Sequence, residues 1–186
     1  MATGKQKIAE RSREWFWKAF LELLQEKDYQ KITITEIAQK AQLDRRTFYR
    51  SFKGKNELIN WYCKKSLAEY HALIYQQKQP LSVQKGLKLF FDFWWERRKT
   101  MHLLIINDLS NNFLNIWTQA AIKNYYFFNE SWRIKGDPNQ VKYIETYITG
   151  GLWQTVNFWL AKDDPEKPEV ITQTFIKVLD ALIANY

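Results

Sequence analysis

The sequence is poor in residues that cross-link or interrupt a chain, with one cysteine, six glycines and four prolines. Because Cys63 is alone, an intramolecular disulfide is excluded, which suits a reducing compartment. Long hydrophobic runs are also missing: stretches such as residues 103–106 are far too short to span a membrane. The N-terminal residues lack the apolar segment of a signal peptide. These absences predict a soluble, cytoplasmic protein.

Patterns typical of catalysis and metal binding are missing as well. The two histidines, His71 and His102, do not combine with Cys63 in the spacing of a zinc site. There is no glycine-rich phosphate loop, nucleophile elbow or paired-carboxylate pattern. Asp163 and Asp164 stand beside a proline and are typical of a solvated loop. We therefore expect no enzymatic activity, no metal and no cofactor.

Basic residues are abundant but unevenly distributed. Residues 1–65 contain 15 Lys and Arg against 8 Asp and Glu, a net charge of +7. Residues 66–186 contain 13 against 12, a net charge of +1. Such asymmetry indicates a polyanion-binding region joined to a nearly neutral one. A solvated basic face without a partner is the alternative, and charge alone does not separate nucleic acid from a membrane surface.

Apolar residues recur at intervals of three and four along most of the chain, which is the period of an α-helix. The alternation typical of strands is almost absent, so the sequence predicts an all-α fold. We expect helices at about residues 5–27, 33–42, 45–52, from 55 onward, 82–98, 100–108, 110–134, 138–163 and 168–185. Asp28 is expected in the left-handed conformation after the first of them.

Two short helices joined by a tight turn stand out within the basic region. Thr33 and Glu36 have the spacing of a capping box, and Asp44 is placed to cap the following helix. On that helix Phe48 and Phe52 are four residues apart and are expected to face inward. The residues between and before them are left outside, which would give the helix a basic, exposed face.

The residue types on that face are those that bind DNA. Arginine makes two hydrogen bonds to guanine, and threonine contacts the methyl group of thymine. Tyr49, Lys53 and Lys55 suit phosphate oxygens, which fix position rather than read sequence. A helical hairpin with a charged face is the simpler alternative, but its coincidence with the basic region favours DNA. The predicted DNA-binding residues are Thr33, Thr35, Arg45, Arg46, Thr47, Tyr49, Arg50, Lys53 and Lys55.

A known motif is matched by residues 31–59, KITITEIAQKAQLDRRTFYRSFKGKNELI, at Thr33, Ile37, Ala38, Thr47, Phe48, Tyr49, Phe52, Lys55 and Leu58. This segment resembles the helix-turn-helix signature of the TetR family of bacterial regulators. Two positions differ, since many relatives have Gly at Gln42 and Ser at Asp44, and Gln42 is expected to adopt the turn conformation at some cost. The resemblance implies nine or ten helices, dimerisation through the last two, and repression relieved by a ligand.

Two domains are predicted. Residues 1–65, the head, form a helix-turn-helix DNA-binding domain, and residues 66–186, the body, form a helical ligand-binding and dimerisation domain. Pro80 cannot continue a helix and Ser82 can cap the next one, so the segment QQKQPLS at residues 76–82 is the break in the chain that most favours a domain boundary.

Aromatic residues are concentrated in two predicted helices of the body, 82–98 and 110–134. Core packing explains any single ring, but rings fill space less finely than Leu or Ile, and such a body can enclose an apolar cavity. Polar groups among the rings would orient a small apolar or aromatic molecule. The predicted ligand-binding residues are Tyr70, Trp94, His102, Trp117, Asn124 and Gln154.

Gly150 and Gly151 fall inside a predicted helix, where each costs roughly 1 kcal/mol relative to Ala. Close approach of a helix from a second subunit would offset that cost, and a kink is the alternative. The final helix carries an apolar stripe almost to its end, which suggests a partner surface. The predicted dimer-interface residues are Ile148, Gly151, Thr155, Phe158, Phe175, Leu179 and Leu182.

Together these patterns predict a homodimer that binds double-stranded operator DNA, with its two heads about 34–36 Å apart. A small-molecule effector is expected to release it, as in a repressor. The competing hypothesis is a helical homodimeric adaptor whose basic head binds an acidic protein or a membrane surface. A membrane-binding head should present a broad apolar face, and residues 44–55 offer only the inward-facing Phe48 and Phe52.

Overall fold

A computed structural model describes residues 4–77, 81–125 and 137–184. Within these ranges every regular element is helical, which confirms the all-α prediction. The elements are α1 (Gly4–Glu26), a 3₁₀ helix (Tyr29–Lys31), α2 (Ile34–Lys40), α3 (Arg45–Ser51), α4 (Lys55–Tyr75), α5 (Val83–Glu96), α6 (Arg98–Ile106), α7 (Asn111–Asn124), α8 (Pro138–Leu160) and α9 (Pro168–Ala184). None of these helices is long and apolar enough to cross a bilayer.

The chain divides into two compact units, Met1–Lys65 and Ser66–Tyr186. The division falls inside α4, which is helical from Lys55 to Tyr75. The break at residues 76–82 therefore follows the division instead of marking it. Pro80 itself lies outside the described residues, as do residues 126–134 of the predicted helix 110–134.

The core of the head is aromatic and holds α3 against α1. Phe16 and Phe48 are fully buried, with ring centroids 5.1 Å apart in an edge-to-face arrangement. Phe52 is buried 5.4 Å from Phe48, so both inward-facing predictions are correct. From α2, Ile37 and Ala38 enter the same core. A short helix of seven residues is marginal in isolation, so this packing is what fixes α3 in place.

Two helices end on a non-glycine residue in the left-handed conformation. Gln42 has φ 55° after α2, as predicted, and the N–H of Leu43 reaches back to the Ala38 carbonyl at 2.9 Å. Asp108 has φ 56° after α6, and Leu109 makes the equivalent bond to Leu104 at 2.7 Å. Both turns close the last carbonyls of their helix in the same way.

The left-handed conformation predicted for Asp28 is wrong. Asp28 has φ −54° and ψ 142°, because it precedes the 3₁₀ helix and needs extended backbone there. Its carbonyl accepts the hydrogen bond of the Lys31 N–H at 3.0 Å, which begins that helix.

The body packs α5 against α9 and α7 against α8. Its core is built from large rings instead of aliphatic side chains alone. Phe91 of α5 lies 5.8 Å from Trp159 of α8, and Trp159 stacks on Trp95 at 5.7 Å. Trp153 of α8 stacks on Phe113 of α7 at 5.4 Å. The aromatic residues that the sequence concentrates in this region are therefore largely core residues.

Candidate nucleic-acid interface

The start of α2 is fixed by the predicted capping box. The Thr33 hydroxyl accepts a hydrogen bond from the Glu36 N–H at 3.2 Å, and the Glu36 carboxylate accepts one from the Thr33 N–H at 2.9 Å. Lys27 forms an ion pair with the same carboxylate. The hydrogen bonds from Lys27 and Thr33 lower the pKa of Glu36 from 4.5 to about 2. The carboxylate thus links the end of α1 to the beginning of α2.

The start of α3 depends on backbone bonds. The Asp44 carbonyl accepts hydrogen bonds from the N–H groups of Thr47 and Phe48 at 2.9 and 3.2 Å. Asp44 occupies the N-cap position with extended backbone, as predicted, but in the described head its carboxylate does not cap the helix. The predicted side-chain cap is therefore wrong, and the carboxylate is exposed at the end of α3 that carries Arg45 and Arg46.

A basic face lies on the outer side of α3. Arg45, Arg46, Tyr49 and Arg50 are all exposed, whereas Phe48 between them is fully buried. The Arg45 guanidinium lies 5.9 Å from the centroid of the Tyr49 ring. Arg50 donates a hydrogen bond to the hydroxyl of the half-buried Thr47 at 3.0 Å. With Phe48 buried, the three arginines and Tyr49 of the helix are left facing solvent.

An open concavity lies between α2 and α3. It brings the predicted residues Thr35, Arg45 and Arg46 together on one surface. Its remaining lining consists of Ala38, Gln39, Leu43 and Asp44. Lys53 is exposed just beyond α3, where its backbone N–H donates to the Glu57 carboxylate at 2.8 Å.

Lys55 differs from the other predicted contacts because it is already engaged within the head. Its ammonium donates to the carbonyls of Tyr29 and Ile32 at 2.7 and 2.6 Å and lies 4.2 Å from the centroid of the Tyr29 ring. Burial lowers the pKa of Lys55. The Tyr29 hydroxyl in turn donates to the Asn56 side chain at 2.6 Å. Lys55 thus holds the segment that leads into α2.

Sequence reasoning missed Lys27, Tyr29 and Asn56 as supports of this interface. Their partners are 9 to 27 residues away in the chain. No local spacing in the sequence predicts such contacts.

Three of the predicted ligand-binding residues meet in the body. The centroids of Trp94 and Trp117 are 5.0 Å apart, and Tyr70 lies 5.2 Å from Trp117. His102 instead bonds through Nδ1 to the Leu160 carbonyl at 3.0 Å, at the end of α8. Gln154 is exposed, because its neighbours Trp153 and Val156 face the core. The side chain of Asn124 lies outside the described structure.

The predicted dimer-interface residues lie in different environments. Gly151 and Phe158 lie on the outer face of α8, and no described atom is within 4 Å of a Cβ added at Gly150 or Gly151. Phe175 is half-buried, and its ring packs 5.4 Å from Phe91 within the same chain. Four other predicted residues are less informative: Ile148, Thr155 and Leu179 are half-buried, and the side chain of Leu182 lies outside the described structure.

The outer face of α8 also contains two residues that sequence reasoning missed. Tyr143, Tyr147 and Phe158 are 76, 84 and 70% exposed, although each carries a large ring. Their spacing with Gly151, at 143, 147, 151 and 158, puts them on one side of the helix. That spacing was present in the sequence and identifies an aromatic stripe centred on a glycine.

Metal binding finds no support in the described part of the chain, where no three His, Cys, Asp or Glu residues form a group able to hold an ion.

Residues 18–60 match the model of a family described as bacterial regulatory proteins, tetR family. Over 182 residues the chain is 28% identical to an uncharacterised HTH-type transcriptional regulator of Bacillus subtilis, YxbF, and the match covers 91% of this chain and 45% of YxbF. Over 52 residues it is 38% identical to DhaS of Lactococcus lactis, an HTH-type activator of the dhaKLM operon, covering 28% of each. The matches thus span less than half the length of these curated relatives.

Solved structures show the same fold. The dihydroxyacetone kinase operon activator DhaS superposes with a TM-score of 0.63 at 21% identity, covering 94% of this chain and 97% of DhaS. A TerR/AcrR-family transcriptional regulator of Aquifex aeolicus gives 0.62 at 23% identity, covering 92 and 99%.

Proposed function

We propose that the chain, whose residues 18–60 match the model of the tetR family of bacterial regulatory proteins, is a transcriptional regulator of that family and binds operator DNA through α3. The observation that carries the proposal is the exposed basic face of α3, held by the buried Phe48. A helix of this size fits the major groove, and its N-terminal side chains then reach base edges. Arg45 and Arg46 occupy that end.

The contacts divide into two kinds. We assign base contacts to Arg46 and Thr47, and phosphate contacts to Tyr49 and Lys53, because phosphate contacts fix position and base contacts specify sequence. Thr35 lines the same concavity as Arg46, which makes it a candidate contact at the edge of the groove. Arg45 and Arg50 add positive charge on either side.

A gel-shift experiment with DNA from upstream of the protein's own gene tests this function. Binding should weaken with salt, with a slope of log K against log salt of about −5 to −9 if six to ten phosphates are contacted. The Arg46→Ala protein should lose about 1–3 kcal/mol of discrimination at particular base pairs. Lys142→Ala, which removes one exposed positive charge from the body, is the control and should leave the ranking of operator variants unchanged.

The competing adaptor hypothesis makes the opposite prediction for the same experiment. A head that binds an acidic protein or a membrane surface would not distinguish operator variants. The adaptor hypothesis would be supported by a salt slope near zero. It would also be supported if the unaltered protein and the Arg46→Ala protein each bound all DNA sequences equally well.

We propose that the regulator is a homodimer, joined through the outer face of α8 together with α9. Tyr143, Tyr147 and Phe158 would be covered there, and Gly151 would let the partner helix approach closely. Two heads would then meet successive major grooves about 34–36 Å apart. We infer a cytoplasmic location, where the DNA is.

We further propose that a small molecule binds in the body and releases the DNA, so that the protein acts as a repressor. The ligand changes affinity only as far as it binds the two head arrangements differently. Activation is the second candidate, favoured by the name of DhaS, which is an operon activator. A reporter gene under the operator decides between them, because deletion of the regulator raises expression in the first case and lowers it in the second.

A further inference from the structure

We propose that the body binds an uncharged, flat organic molecule that carries a carbonyl-type acceptor. The indole N–H groups of Trp94, Trp117 and Trp153 would donate hydrogen bonds to that acceptor. The proposal rests on the proposed function of the body as the effector-binding unit, and it names the chemistry of the effector.

Three buried indole N–H groups lack a hydrogen-bond partner among the residues that the structure describes, and they belong to Trp94, Trp117 and Trp153. These side chains are 0, 8 and 4% exposed. A buried donor without an acceptor is unfavourable, and native proteins rarely keep one without a reason. Trp159 shows the usual solution in the same unit, since its N–H donates to the Glu166 carbonyl at 2.8 Å.

The three rings form one cluster. The centroid of Trp94 lies 5.0 Å from that of Trp117 and 5.2 Å from that of Trp153, and Trp117 and Trp153 are 6.4 Å apart. Each ring comes from a different helix, α5, α7 and α8. A molecule that reached these donors would therefore contact three helices at once.

The surroundings of the cluster favour a flat ligand. Phe113 stacks on Trp153 with an interplanar angle of 13°, and Tyr70 lies 5.2 Å from Trp117. The rings offer broad apolar faces, and the indoles among them supply hydrogen-bond donors only. A ligand that matches both is planar and carries acceptors.

Charge argues against an anionic ligand. The guanidinium of Arg97, at the end of α5, lies 3.7 Å from the Phe93 ring centroid and is paired with Glu69 at 2.7 Å. A carboxylate ligand would therefore have to compete with Glu69 for the nearby arginine, whereas a ketone, amide, ester or lactone needs no counter-charge.

Matched pairs of ketone and hydrocarbon test the proposal on the complete protein. The pairs are 1-indanone with indane, 1-tetralone with tetralin, and 9-fluorenone with fluorene, with indane-2-carboxylate as the anionic probe. Calorimetry should show at least one ketone binding about fivefold or more tightly than its hydrocarbon, because the carbonyl pairs donors that are otherwise unsatisfied. Equal affinities in all three pairs, or preference for the carboxylate, overturn it.

Variants locate the effect. Trp117→Phe and Trp153→Phe keep an aromatic ring and remove one donor, and each should reduce the preference for ketone over hydrocarbon about two- to tenfold. Trp159→Phe is the matched control, since its N–H is already bonded within the chain, and the preference should survive. A preference unchanged by both of the first two variants contradicts the assignment.

A measurement on the unaltered protein does not depend on the variants folding. In the ¹⁵N-labelled protein, the indole signals of Trp94, Trp117 and Trp153 should have the shifts of unbonded N–H groups and should move downfield with the ketone but not with the hydrocarbon. If they are already bonded, through bound water, and do not respond, the proposal is wrong. Operator binding measured on the same protein separates this proposal from the proposed function. If the protein binds its operator but shows no preference for ketones, the ligand site is contradicted and the regulatory function is not.

Discussion

The head and the body distribute their polar groups in opposite ways. Both have aromatic cores, but in the head the buried rings serve to expose charge, with Phe48 inside and Arg45, Arg46 and Arg50 outside. In the body, polar N–H groups are enclosed within the aromatic core itself, without partners among the described residues. The net charges, +7 and +1, follow the same division. The comparison teaches that similar aromatic cores can place polar groups on the surface in one unit and enclose them in the other.

Removal of the head's anchoring ring is expected to have the largest effect. Phe48→Ala should destabilise the head by about 3–5 kcal/mol, because it deletes a fully buried ring and leaves a cavity. α3 should lose its position, and DNA binding should be lost. Chemical denaturation and gel shift measure both. The exposed neighbour provides the control, since Tyr49→Ala should change stability by about 0.5 kcal/mol or less; equal losses would mean that Phe48 is not the anchor.

Two neighbouring lysines sharpen the distinction between holding the surface and forming it. Lys55→Ala should lower head stability by about 1.5–3 kcal/mol, because a charged donor to the Tyr29 and Ile32 carbonyls is lost. Its salt slope for DNA binding should change little. Lys53→Ala should do the reverse, leaving stability unchanged and reducing the slope by about 2, because each subunit of the proposed dimer loses one phosphate contact. If Lys55→Ala reduced the slope without affecting denaturation, Lys55 would be a phosphate contact.

The glycine on the outer face of α8 tests whether the body also presents a surface, to a second copy. Gly151→Leu should weaken the dimer by about 1–3 kcal/mol through overpacking, and sedimentation should show more monomer. Within one chain the added side chain meets open space, so folding should not suffer. Gly86→Leu, another helical glycine with open space around its added Cβ, is the control and should leave the dimer intact. An unaltered dimer after Gly151→Leu rules out close approach there.

The smallest expected effect is on the stability of the head at acidic pH. Because the pKa of Glu36 is lowered to about 2 in the folded head, its contribution to stability is complete above the ordinary value of 4.5 and is lost as the pH falls towards 2. Glu36→Gln should therefore remove part of the fall in stability between those values. Denaturation at a series of pH values measures it.

Local features of the head were predictable from the sequence, and contacts between distant residues were not. Thr33 and Glu36 are three residues apart, and Phe48 and Phe52 four, so spacing alone identified the cap and the buried face. Gln42 followed from the motif. The contacts of Lys55 with the segment ending at Ile32 cross 23 and 26 residues, and no periodicity encodes them.

In the body, the sequence showed which residues are apolar but did not predict which other apolar residues they pack against. Phe175 belongs to a stripe that suits a dimer or a core equally well, and its packing on Phe91 is decided by the arrangement of α5 and α9. Gln154 looked like a polar group among rings because rings surround it in sequence, yet α8 turns it outward. Trp153, the third member of the cluster, was not among the predicted ligand-binding residues.

The turn after α2 has a thermal consequence that a glycine turn would not share. Gln42 holds φ 55° against steric strain, which is an enthalpic cost that changes little on heating. Glycine there would relieve the strain, but its freer unfolded chain would lose more entropy on folding, and that penalty grows with temperature. Heating should therefore narrow the advantage of glycine over the native glutamine at this position, by about 0.1–0.2 kcal/mol across the folded range.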